Sequence, residues 1–269
     1  RERGPSTTSA IQTVEWQHRA LIRGGQVVGF GAQLMGRLDR TTSGPADIVD
    51  PLSNGLPATA RSWGSSDAMG WLEWSYPFVA PVGGGSVVIE PKALLVGSGR
   101  IAGTRPTLNE DSRSLEMDFS SIFSLNRHTG FDRRESGLRV VYGLRSTLGF
   151  ASGETVTLEA GQLRYLVGND TFGGRLRAPG DKASDWVVGL RADIGYPLSL
   201  DMYGRFDARD LGVVQAYVAP TLRHQFFGRE ASLTVGYARE GPDSPLGRYP
   251  GAPPPRDSVI VMARTPIGQ

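Results

Sequence analysis

The feature that most constrains this chain is an alternation of apolar and polar residues with a period of two, repeated along nearly its whole length. Between Thr13 and Arg23, Val14, Trp16, His18, Ala20 and Ile22 alternate with Glu15, Gln17, Arg19 and Leu21. Gly24–Gly25 then marks a tight turn. The return segment places Val28, Phe30, Ala32, Leu34 and Leu38 on one face and Gly29, Gly31, Gln33, Arg37 and Asp39 on the other. Only a β-strand sends successive side chains to opposite faces, so this spacing predicts a hairpin and excludes an amphipathic helix.

The same spacing recurs. Leu72, Trp74, Tyr76 and Phe78 alternate with Trp71, Glu73 and Ser75, and Gly83–Gly85 turns the chain into Ser86–Gly97. Leu115, Met117, Phe119, Ser121 and Phe123 alternate with Glu116, Asp118 and Ser120, which reads as another strand. Further strands are predicted at 138–148, Glu154–Val167, 185–196, 200–209, Gly212–His224, Glu230–Glu240 and Arg256–Ile267. That makes about twelve strands of about 10–14 residues, longer than the ~5–6 usual in globular proteins. Near Gly161 the apolar set shifts from Val156, Leu158 and Ala160 to Leu163, Tyr165 and Val167, as a β-bulge there would produce.

Connections come in two lengths. Short turns are expected near Gly24, Gly83, Gly153, Pro197 and Phe227, and long loops at 41–66, 98–111, 125–134, 168–183 and 241–255. Asp210–Gly212 is short where a long loop would fall due. Long loops at one end and short turns at the other are the layout of an outer-membrane β-barrel. One strand face also carries closely spaced charges of both signs, such as Asp201, Arg205, Asp207 and Arg209. A soluble barrel would have to bury one face as a core. Apolar residues outward to lipid and charges inward to a wet lumen fit better. In lipid every backbone polar group needs a partner, so such a sheet must close. Trp16, Trp74, Tyr76, Tyr142, Trp186 and Tyr196 suit the aromatic girdles at the membrane interfaces.

Composition narrows the rest. The chain holds no cysteine, which excludes disulfides and thiolate metal sites from it. Lys+Arg number 29 against 27 Asp+Glu, interleaved rather than blocked, so no nucleic-acid surface is expected. No signal peptide and no apolar run long enough for a membrane helix are visible, and the start at Arg1 reads as a processed chain or a fragment. The three histidines, His18, His128 and His224, are far apart and lack ligand spacing. No G-x-S-x-G occurs. An acidic cluster at Glu110–Asp111 is better read as a solvated loop than as a cation site. No catalytic residue, metal or cofactor is expected. The candidates for a substrate path or partner contact are the inward charges Glu116, Asp118, Arg139, Arg145, Arg191, Asp193, Arg205 and Asp207. Arg139 and Arg145 would pair with Glu116 and Asp118.

The loop residues carry a resemblance. Asn109-Glu110-Asp111-Ser112, then Asp118, Phe123, Asn126-Arg127, Gly130 and Asp132-Arg133 lead into Arg139 and Tyr142-Gly143, with Gly161-Gln162-x-Arg164-Tyr165 beyond. Arg37-x-Asp39, Tyr76-Pro77-Phe78 and Glu90-Pro91 precede them. This ordered series resembles the lipopolysaccharide-assembly outer-membrane protein (LptD, organic solvent tolerance) family. The resemblance implies an antiparallel transmembrane β-barrel of more than twenty strands, an N-terminal periplasmic jellyroll, a plug lipoprotein (LptE-like) and a periplasmic bridge protein (LptA-like). It implies insertion of lipopolysaccharide into the outer leaflet without enzymatic chemistry. Residues 1–269 would be the C-terminal portion of the barrel, with the jellyroll and first barrel half absent. The rival readings are a self-contained pore or secretion translocator, and an outer-membrane hydrolase. Edge-to-edge pairing of the first and last strands would favour a complete barrel.

Overall fold

In the computed structural model the described residues are 7–41, 61–103, 117–128, 130–131, 134–168, 182–226, 229–241 and 256–265. They form one antiparallel twelve-stranded sheet. Its strands are β1 (Thr7–Ile22), β2 (Gln26–Thr41), β3 (Arg61–Ser75), β4 (Phe78–Val82), β5 (Gly85–Gly103), β6 (Gly137–Gly149), β7 (Thr155–Val167), β8 (Trp186–Asp193), β9 (Leu198–Phe206), β10 (Val213–Phe226), β11 (Arg229–Glu240) and β12 (Arg256–Arg264). A single helical turn, α1 (Phe119–Ile122), lies between β5 and β6. Each strand pairs with its neighbours in sequence, except that β3 and β4 pair successive parts of β5 and so act as one strand broken at Tyr76–Pro77. β1 and β12 end the path and do not pair with each other among the described residues.

The first hairpin shows why the sequence folds this way. β1 and β2 pair in register over all 16 residues of each. Gly24 and Gly25 turn the chain at φ of 90° and 88°, a region that side chains with a Cβ rarely enter. Register then carries each face across the sheet. The row His18, Phe30, Leu72, Leu95, Val140 lies on one face. The adjacent row Arg19, Gly29, Glu73, Leu94, Val141, Leu163 lies on the other. On the first face Trp16, Phe30, Leu34, Leu72, Leu158 and Leu233 stand exposed. Trp16 and Phe30 meet edge-on at 5.6 Å, and Tyr142 and Trp186 at 6.0 Å. An exposed apolar band of this extent marks the lipid-facing side.

The inner face departs from the simple expectation of a polar wall. Met69, Trp71, Leu94, Val96, Val141, Leu163, Tyr165 and Val187 form a buried apolar core on it, covered by Met117 and Ile122. Met117 and Phe119 therefore do not face lipid, and 117–123 is not a strand. The chain turns inward and packs on the wall. Leu115 and Glu116 lie outside the described residues. Asp118 caps α1 by accepting from the Ser121 amide at 2.6 Å, while the Ser121 hydroxyl accepts from the Asp118 amide at 2.8 Å. This reciprocal cap satisfies donors that so short a helix cannot satisfy itself.

Two glycines make room for the helix. Gly143 and Gly161 sit opposite each other on β6 and β7. A Cβ at Gly143 would lie 2.8 Å from Cε2 of Phe119, and one at Gly161 would lie 2.9 Å from Cδ1 of Ile122. Gly161 is thus a site of close approach rather than a bulge. Against β6, β7 keeps its register through Gly161 and slips only where Leu138 and Arg139 face Val167 and Tyr165. Against β8 the ladder stops at Gly161, and the next bridge, Arg164 with Ala183, is one residue out of step, the extra residue lying on the β8 side. The apolar residues change phase at Gly161 because the dry side changes. Leu158 faces lipid below that point, whereas Leu163 and Tyr165 face the inner core above it.

Candidate functional site

The inner wall has two zones. At the long-loop end lies a buried polar clasp. Glu135 accepts from Arg127 Nε at 2.9 Å, from Arg127 Nη2, and from the Tyr165 hydroxyl at 2.6 Å. Arg139 Nη1 lies 2.7 Å from its other oxygen. The side chains of Arg127, Glu135 and Arg139 are 0%, 2% and 2% exposed. Burial pushes the Glu135 carboxyl up, but the charge and hydrogen bond of Arg127, with Arg139 and Tyr165, outweigh it and hold the group below its ordinary value. Arg139 Nη2 also donates to the carbonyls of Ser124 at 2.6 Å and Leu125 at 2.7 Å, which ties the wall to the segment after α1. Asn126 donates to the His128 carbonyl at 3.3 Å. Arg134 stands half-buried, its affinity for a proton lowered by burial and supported by Asp67 and Glu15.

Toward the short-turn end the wall is wet. Arg145 and Glu159 face each other across β6 and β7 and pair at 2.6 Å. Arg191 and Asp201 do the same across β8 and β9 at 2.8 Å. These rungs line a cavity of about 810 Å³ that also meets Asp118, Phe119, Ser120, Tyr203 and Tyr217. The helical turn α1 therefore borders this cavity on one side and caps the dry core on the other.

The inward charges divide between these zones. Asp118 is the cap of α1 and Arg139 belongs to the clasp, while Arg145 and Arg191 form exposed rungs. Asp193 accepts from the Gly195 amide at 3.3 Å. Arg205 pairs with Asp185 at 2.6 Å, both nearly buried. Asp207 caps the 207–212 turn through the amides of Arg209 and Asp210. The expected pairing of Arg139 and Arg145 with Asp118 does not occur: their partners are Glu135 and Glu159, because α1 presents its cap to its own backbone. Of the motif loop residues, Asn126, Arg127 and Gly130 are described, and Arg127 lies at the clasp. Asn109, Asp111, Ser112, Asp132 and Arg133 lie outside the described residues. No group of three or more potential metal ligands occurs among the described residues.

The sequence profile of the LptD family, described as LPS transport system D, matches residues 69–268. The chain belongs to this family. The match covers β5 to β12, the docked segment and both zones of the inner wall. No curated protein sequence matches the chain. Family membership makes the sheet the wall of an outer-membrane β-barrel, with its exposed apolar face toward lipid and its polar face toward the lumen. It places the protein in lipopolysaccharide transport to the outer membrane, with lipopolysaccharide as substrate and other Lpt-system proteins as partners.

Glu135, Tyr165, Glu159, Asp201, Asp185 and the glycine pair escaped the reading of the sequence as site residues. The alternation itself held the signal for some of them. Arg145 and Arg191 each need an opposite carboxylate on the same face of the next strand. Two inward glycines on adjoining strands announce that something packs there. Glu135 lies in a loop and has no such marker.

Proposed function

We propose that this chain is the C-terminal part of the barrel of the translocon that inserts lipopolysaccharide into the outer leaflet. The observation that carries the reading is the family match over most of a sheet whose two end strands, β1 and β12, each leave one edge unpaired among the described residues. An unpaired edge is untenable in lipid, so further strands must close this wall. A jellyroll and the first half of the barrel would complete the protein. A plug lipoprotein of the LptE kind would fill the lumen, and a bridge protein of the LptA kind would deliver the glycolipid from the periplasm.

The wet zone supports the transport reading. Short turns of outer-membrane barrels face the periplasm, which sets the cavity of about 810 Å³ on the entry side. Its ion-pair rungs and its tyrosines offer a hydrated, hydrogen-bonding wall to phosphorylated sugars, while acyl chains need an apolar route. Arg145, Arg191, Glu159 and Asp201 are the residues assigned to that wall. No bond is made or broken in this role.

Depletion of the full-length protein tests it. Pulse-labelled lipopolysaccharide should stop reaching the cell surface and accumulate before the outer leaflet. Surface arrival at the normal rate after depletion would defeat the proposal and return the chain to the pore class.

A further inference from the structure

We propose that the lipid-facing side of β1, β2, β3 and β5 carries a binding groove for one lipopolysaccharide molecule already resident in the outer leaflet. The inference rests on the orientation of the barrel in the outer membrane and not on the route of the cargo. A groove of about 420 Å³ opens at the long-loop end of these strands. Ala10 and Gln12 line it on β1, Gly36 and Leu38 on β2, and Gly64 and Ser66 on β3. These positions fall in step with the exposed Leu34 and Leu72, so the groove lies on the outside of the wall. The long loops of such barrels are extracellular, which sets this end in the outer leaflet.

Small residues hollow the face out. Gly64, Ser66, Ala68 and Gly70 follow one another along β3, and Gly99 and Gly97 continue the hollow on β5 opposite Ala68 and Gly70. Leu34 and Leu38, 55% and 68% exposed, form one bank, and Leu72 and Leu95 close the lower end. From Gly64 to Gly70 the strand rises about 20 Å. At a tilt of about 45° that is about 14 Å of depth, close to one leaflet of a hydrocarbon core about 30 Å thick. The inward glycines 143 and 161 leave space that Phe119 and Ile122 fill. A Cβ at Gly36 or Gly99, by contrast, would meet nothing within 4 Å among the described residues. That space is left to lipid, and a glycine inside a strand marks where a ligand comes close.

Shape alone does not choose a lipid, because an acyl chain gains little by leaving one apolar surrounding for another. The polar groups make the choice. Gln12, Gly36 and Ser66 form one row across the strands, which puts an amide and a hydroxyl on the lipid side. Lipopolysaccharide, unlike a phospholipid, carries amide-linked and hydroxylated acyl chains whose polar groups lie just beneath its sugars. Two rows further out, Thr8, Arg40 and Ser62 end the apolar face, all of them exposed. Arg40 stands there at headgroup height, and its guanidinium suits a sugar phosphate.

The test uses the full-length protein purified with its native partners. A photoreactive benzophenone amino acid at Leu38, on the bank of the groove, is compared with one at Val167. That residue is exposed on the same face, in the row of Gly70 and Gly97. Once detergent has stripped loosely held lipid, irradiation should join lipopolysaccharide to the Leu38 site severalfold more than to the Val167 site. Excess phosphatidylglycerol added before irradiation should not displace it. Arg40→Gln, and Gly36→Leu with Gly99→Leu, should each cut the adduct severalfold. Should the groove-filling pair prevent insertion, Arg40→Gln alone decides. Equal adducts at the two positions would reduce the groove to ordinary lipid coat and overturn the proposal. Displacement by phosphatidylglycerol, or an adduct indifferent to the substitutions, would overturn it too.

Discussion

The two halves of the inner wall use the same chemistry under opposite conditions. At the long-loop end, Arg127, Glu135 and Arg139 lie dry beneath a docked segment. At the short-turn end, Arg191 and Asp201 form a pair of like geometry with side chains 82% and 48% exposed. The partners are chemically the same, and water decides their weight. A charge in the dry clasp cannot be left alone, because little solvent is present to replace its partner. A charge on a wet rung loses only a screened attraction when its partner goes. The clasp therefore serves structure, and the rungs remain free to serve traffic through the lumen.

Glu135→Ala challenges this contrast most severely. It strands two buried guanidiniums, for which the expected cost is about 3–5 kcal/mol. The full-length variant should insert poorly, and its heat-modifiable band should unfold well below the wild-type temperature. Glu135→Gln keeps the volume and the hydrogen bond from Tyr165 but removes the charge, so it should fall between the two. A wild-type melting profile for Glu135→Ala would mean that the clasp is wetter than its burial implies.

Acid should reach the same group without mutation. The carboxyl of Glu135 is held below its unfolded value, so its contribution is complete above the ordinary glutamate range near ~4.3. It is lost as the pH falls through the lower folded value. Melting temperature against pH should thus drop more steeply at acid pH for the wild type than for Glu135→Gln, and the two curves should converge there. Parallel curves would assign the acid sensitivity to other carboxylates.

How much of this was legible beforehand depends on what each residue answers to. Phe30, Leu72 and Leu158 answer to lipid, and a period of two is enough to place them. Asp201 and Arg191 answer to each other across one ladder step, so their shared face was legible although their pairing was not drawn. Met117 and Phe119 obey the same alternation for a different reason. A strand and a capped helical turn can both carry Leu-x-Met-x-Phe, and the recess at Gly143 and Gly161, far along the chain, decides between them. Tyr165 reads as one member of the shifted apolar set with Leu163 and Val167, out of phase with Val156 and Leu158, and only the inner core shows why the phase reverses. The membrane supplies a uniform rule for one face. The lumen supplies none, so its contents had to come from the structure.

The gentlest probe is Asp201→Asn, on the wet side. The new amide oxygen would still accept from Arg191, and the lost ion-pair term at such exposure is about 0.2–1 kcal/mol. Insertion and melting should stay close to wild type. Any effect belongs on transport: the guanidinium of Arg191, no longer neutralised, would face the cavity with more positive charge for a phosphorylated sugar, so the rate of pulse-labelled lipopolysaccharide arrival should change while stability does not. A variant that melted several degrees lower with transport intact would reverse the division, making the rung a structural tie. A change in arrival alone would show that one wall keeps its fastening and its traffic at opposite ends, with the docked turn α1 between them.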